Sequence, residues 1–159
     1  MTMPEGLDLY GYQQAITSRV KALYPDYEVI EDTLDDDKAL TRDLNGKMPA
    51  YFILRYGPMM PVRRGKSFGG YRMDEYYATV DVMSIASKGN IARELNAAAT
   101  QDLIGWAPDG VSPMFLQDDG GMFAAFVVSS NEARPTRSVV SQRFRFNLNT
   151  NNVGKITRP

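Results

Sequence analysis

The sequence predicts an α+β domain: a largely antiparallel β-sheet, two main α-helices packed on one face of it, and a long β-hairpin loop. Three observations carry that reading. Residues 50–56, 76–85 and 138–150 are rich in β-branched and aromatic side chains, and the last two alternate with the period of a strand that has one wetter face. Residues 9–23 and 91–106 instead repeat their large apolar side chains every three or four positions, the spacing of a helical face. The order of these stretches, helix, strand, long hairpin, helix and two more strands, suits helices laid against an antiparallel sheet.

In the first helix Leu9, Tyr12 (or Gln13), Ile16, Val20 and Leu23 share a face, Arg19 and Lys21 are left for solvent, and Pro25 sets the end. Tyr27-Glu28-Val29-Ile30 follows as a short strand. The acidic run over residues 31–37 lacks the alternate acids, the glycine and the closing Glu of a calcium loop, so a solvated loop is expected there. Residues 50–56 form a strand that Gly57-Pro58 closes.

Residues 59–72 hold four cations, Arg63, Arg64, Lys66 and Arg72, with no acid, several glycines and the aromatics Phe68 and Tyr71. Lying between two strong strands, they are expected to be a long hairpin loop. Gly65-Lys66-Ser67 imitates the end of a phosphate-binding loop, but Met60 stands where that motif needs a glycine and no helix pattern follows. A basic aromatic loop of this kind is either a solvated tip or a contact for nucleic-acid phosphates or an acidic protein surface.

The strand at 76–85 leads through Ser87 and Asn90, both candidate caps, into a second helix whose inward face is expected to be Ile91, Leu95, Ala99, Leu103 and Trp106. Gly105 and Pro108 end it. Met114-Phe115-Leu116 is a short strand, and Asp118-Asp119-Gly120-Gly121 a turn. Residues 122–128 are then apolar at both alternating sets of positions, Phe123 and Val127 in one and Met122, Phe126 and Val128 in the other. Either another part of the chain covers the second face or a neighbouring subunit does. In the last strand Val140, Phe144, Phe146 and Leu148 share one face and Arg143, Arg145, Asn147 and Asn149 the other. These patterns place a single domain over residues 1–150 and a polar tail over 151–159, expected to reach outward. The core is expected to comprise Ile16, Val20, Phe52, Leu54, Val80, Val82, Leu95, Leu103, Phe144 and Phe146.

Composition narrows the chemistry. A chain of 159 residues can bury a proper core, about 70% of its unfolded surface. Nineteen acids against 18 Lys plus Arg give a net charge of −1, unlike the basic excess of a dedicated nucleic-acid binder. There is no cysteine and no histidine, which removes disulfides, thiolate sites, the usual zinc ligands and the Ser-His and Cys-His nucleophile systems. The first residues have neither the basic nor the apolar region of a signal peptide, and the apolar run at 121–128 is too short to cross a bilayer. The cytoplasm, or a particle assembled in it, is the expected location.

In its size and element order, the helix at 9–23, the strand at 76–85 feeding a helix over 90–104, and the terminal Arg143-Phe144-Arg145-Phe146 strand, residues 7–149 resemble the tail terminators of long-tailed bacteriophages. These are the λ-type minor tail proteins that close the tail tube. The resemblance implies a structural virion protein of the tail or neck, assembled in the host cytoplasm as a homo-oligomeric, six-fold ring. Such a ring caps the completed tube, stops its growth and joins the head-side connector. Its implied partners are the tail tube protein and that connector, with DNA passing close by in the lumen; no catalysis, cofactor, metal or membrane is implied. The candidate assembly residues are Arg63, Arg64, Lys66, Phe68, Arg72, Phe123, Phe126, Val128, Arg143 and Arg145. Two alternatives stand: another neck or tail subunit (head-closure or tube-forming), and a small α+β enzyme using carboxylates such as Asp81 and Asp102.

Overall fold

Two long strands make the spine of the sheet. β5 (Glu75–Ala86) and β8 (Arg137–Asn149) pair antiparallel over the whole length of β5, from Glu75 opposite Asn149 to Ala86 opposite Ser138. The computed structural model describes residues 6–7, 10–32, 50–61, 75–108, 111–117, 125–128, 137–149 and 155–156. Next to β5 lie β3 (Tyr51–Tyr56) and β4 (Met60–Pro61), and outside β3 lies β2 (Glu28–Glu31). On the far side of β8, β6 (Phe115–Leu116) and β7 (Ala125–Val128) pair with separate segments of that strand. The sheet is therefore antiparallel except at β2–β3, which run parallel.

The long hairpin has a defined stem. Tyr56 pairs with Val80 and Met60 with Tyr77, four steps against three, so the β3–β4 side carries one extra residue. Gly57 sits at this bulge with its N–H donating to the Thr79 carbonyl at 2.8 Å, and a Cβ there would run into the Thr79 hydroxyl.

α1 (Gly11–Leu23) and α2 (Gly89–Leu103) lie on one face of the sheet and share a core. Tyr12, Ile16 and Val20 from α1 and Leu95, Ala99 and Leu103 from α2 meet Phe52, Leu54, Val80, Val82, Phe144 and Phe146. All ten of the expected core residues are buried. Tyr12 packs edge-on against Phe146 with ring centroids 4.9 Å apart.

Several details differ from the sequence expectation. Ile91 is exposed, and the inward row of α2 is Ala92, Leu95, Asn96, Ala99, Thr100 and Leu103. The N-cap of α2 is Lys88, with no side-chain cap bond: Ser87 stands one place too early and Asn90 already lies inside the first turn. Leu23 is exposed too, while Arg19 is half-buried rather than free in solvent. Gly105 does take a left-handed conformation (φ 77°) just after α2, and its N–H donates to the Met114 carbonyl at 2.8 Å. The polar tail contributes β9 (Lys155–Ile156), which pairs with β1 (Gly6–Leu7) of the same chain instead of only reaching outward.

A buried amide fastens α2 to the spine. Asn96 Nδ2 lies 3.0 Å from Ser84 Oγ, 3.1 Å from the Val82 carbonyl and 3.2 Å from the Val140 carbonyl, so its two protons are shared among acceptors on both central strands. At the other end of α2, Asp102 accepts from the Tyr24 hydroxyl at 2.6 Å, and its carbonyl accepts from Arg19 at 3.2 Å. The Arg19 guanidinium lies 4.6 Å from the Trp106 ring centroid. A cation at a helix C-terminus is favourable, so this cluster ties the end of α2 to α1.

Candidate assembly face

The face of the sheet away from the helices is built by the odd-numbered residues of β3, β5 and β8, because side chains alternate along each strand. It divides into an apolar half and a charged half. Tyr51, Ile85 and Val139 stand side by side across the three strands and are buried, flanked by half-buried Ile30, Ile53 and Met83. Arg137 donates to the Tyr51 hydroxyl at 2.6 Å.

Further along, Arg55, Asp81 and Arg143 stand side by side. Arg143 Nε donates to Asp81 Oδ1 at 2.7 Å and its Nη2 to Oδ2 at 3.2 Å, a two-point clamp. Arg145 lies with its guanidinium 4.2 Å from the Tyr77 ring centroid, and Phe115 stands beside it in register. Phe115 is 43% exposed, unusual for a large aromatic side chain. The Nε of Arg145 is enclosed without a hydrogen-bond partner.

The Arg143 side chain is 47% exposed and that of Asp81 17%, so the pair is open to solvent on its arginine side and contributes little to folding. Replacing Asp81 by Asn is therefore expected to change stability by less than about 1 kcal/mol, measured by urea unfolding. A loss several times larger would make the clamp part of the fold rather than of a surface.

Of the candidate assembly residues, Arg143 and Arg145 come together on this face. In β7 the register sets Phe126 beside Val139 and Val128 beside Arg137. Arg63, Arg64, Lys66, Phe68, Arg72 and Phe123 lie outside the described residues. Arg55, Tyr77 and Phe115 escaped the sequence reading. Setting the 50–56 and 76–85 strands against each other as a hairpin would have put Arg55 beside Asp81, and hence beside Arg143.

Asp81 and Asp102 do not form a pair: one is clamped on the helix-free face, the other is on α2, with the sheet between them. Burial, and secondarily the Asp102 carboxylate, push the Tyr24 hydroxyl pKa well above its ordinary value. Tyr56 is also pushed up, chiefly by burial; its hydroxyl lies 2.7 Å from Thr17 Oγ1 and 2.8 Å from the Gln13 carbonyl, and Thr17 donates to Glu31 at 2.7 Å. Both phenols stay protonated at neutral pH and serve as donors. Among the described residues no group of three or more acids could hold a metal ion, and no helix is long and apolar enough to cross a membrane. The chain matches no protein-family model and no curated protein.

Proposed function

We propose that this chain is a structural subunit of the tail-terminator kind, forming a homo-oligomeric ring that caps a phage tail tube and joins it to the head-side connector. The observation that carries the reading is the division of the sheet: both helices lie on one face, and the other presents arginines and an exposed Phe115 at its charged end. Arginine and aromatic side chains of this kind are the usual anchors of protein–protein contacts. Of the assembly residues, Arg143 and Arg145 share the charged half, while Phe126 and Val128 pair with Val139 and Arg137 toward the other end of β8. Stable contacts bury roughly 1,200 Å² or more in total, and a ring uses two different patches of each subunit.

Mass measurement in solution, alone and with tail tubes, tests the reading: a closed ring, most simply a hexamer, is expected. Phe126→Asp should abolish that ring. A wild-type protein that stays monomeric at high concentration and beside tubes would overturn the proposal.

A further inference from the structure

We infer that one row of the helix-free face binds an extended acidic segment of a second protein. This rests on the reading above and names the chemistry of the partner that the ring joins. The row crosses β6, β8, β5 and β4. Phe115 stands directly beside Arg145, the Arg145 guanidinium lies over the Tyr77 ring, and Met60 is the register partner of Tyr77. Across the sheet the row is thus apolar, cationic, aromatic and apolar. Its two ends are open: Phe115 and Met60 are each 43% exposed, so the chain itself seals neither.

The middle of the row lacks a counter-charge. Among the described residues Arg145 has no carboxylate partner, and its Nε is enclosed without an acceptor. Asp81, one row away, is held at two points by Arg143. Glu31, Asp32 and Asp102 are engaged elsewhere, by Thr17, the Tyr56 N–H and Tyr24. A guanidinium laid on an aromatic ring keeps its planar fork in a fixed orientation, which suits two-point capture of a carboxylate.

The dimensions of the row set the occupant. From Phe115 to Met60 it spans three strand spacings, about 14 Å. The guanidinium, reaching from β8 towards Tyr77 on β5, lies near the middle of that span. An extended chain projects alternate side chains to one side about 7 Å apart. An acid with an apolar residue two places before it and another two places after therefore matches the row when laid across the strands. Its carboxylate meets Arg145 and its apolar groups cover Phe115 and Met60. Exposed aromatic, methionine and arginine side chains together are the composition of protein contacts. A nucleic acid carries a charge at every nucleotide, and Asp81, about 7 Å further along the strands, repels such a continuous line. The row is also clear of Phe126, whose register partner Val139 is about 20 Å away along β8.

Fluorescence anisotropy with a labelled peptide, Gly-Ser-Ile-Thr-Glu-Thr-Ile-Ser-Gly, tests the contact on the full-length protein. The wild type should bind it about tenfold more tightly than the same peptide with glutamine in place of the glutamate, the effect of one charge-assisted pair. Arg145→Gln should erase that preference, and Met60→Ser should weaken both peptides alike. Arg55→Gln removes an exposed cation of the same face outside the row and should bind as the wild type does. Native mass spectrometry should find the same oligomer for Arg145→Gln as for the wild type, with melting curves establishing that each variant folds. The two-peptide comparison on the wild type decides the matter even if Arg145→Gln does not fold. No binding, equal binding of the two peptides, or an equal loss in Arg55→Gln overturns the proposal. So does tighter binding of a labelled oligothymidylate that Arg145→Gln abolishes, which assigns the row to phosphate, or loss of the oligomer in Arg145→Gln, which makes the row a boundary between copies. A wild-type protein that is monomeric in the same spectra sinks the ring reading instead, a result separate from the peptide titration.

Discussion

Phe146→Ala should destabilise the protein by about 3–5 kcal/mol, the range for removing a fully enclosed aromatic side chain. Phe146 is completely buried, shares the core with both helices, and receives the edge of the Tyr12 ring. Its strand pairs on both sides, with Ala78 directly opposite on β5, so the surrounding backbone cannot collapse into the space left behind. Urea unfolding of the variant should show a lower midpoint with an unchanged slope. A loss under 1 kcal/mol would mean that α1 does not seat on β8 as described.

The second large effect is expected at Asn96. Asn96→Asp replaces an amide that donates to two backbone carbonyls and a hydroxyl with a group that, when ionised, can only accept. A buried charge facing carbonyl oxygens should cost more than about 3 kcal/mol at neutral pH. The sign of the pH dependence follows. Burial and the neighbouring carbonyls raise the folded-state pKa of this carboxyl above its unfolded value. The variant is then least penalised in acid, below the unfolded pKa, and loses further stability as pH rises through the folded one. Asn96→Ala should show a smaller loss with no such pH dependence. If both variants behave alike at all pH values, the amide is not the fastening that joins α2 to β5 and β8.

The same residue shows where a sequence stops being legible. Apolar periodicity located both helices and every expected core position, because Ile16, Val20, Leu95, Leu103, Phe144 and Phe146 can be buried in only one way at their spacing. It could not rank Ile91 against Asn96. A large apolar side chain near a helix start looks internal and an amide looks wet, yet Ile91 is exposed and Asn96 has no contact with solvent. Nothing in hydropathy encodes that three acceptors converge on one point of the sheet. Strand direction is invisible for a related reason: the alternation in residues 28–31 is the same whether β2 runs with β3 or against it, and it runs with it. The candidate assembly face was half legible. Arg143 and Arg145 announced themselves by alternating with Phe144 and Phe146, whereas Arg55 and Phe115 join them only through register between distant strands. The ring is an expectation of the family resemblance alone; the residues themselves define only a charged, partly exposed face.

The pairing of β5 with β8 also sets an order of events as the chain is made. β3 and β5 are neighbours in sequence, as a hairpin, and can close early, but β8 joins β5 across a separation of more than fifty residues that includes all of α2. Until residues 137–149 have left the ribosome, β5 has one unpaired edge, and Val80 and Val82 lack the cover of Phe144. Non-local ladders of this kind fold slowly and leave exposed strand edges meanwhile. The hairpin keeps that edge open until β8 arrives, so the last long strand is the one that closes the spine of the sheet.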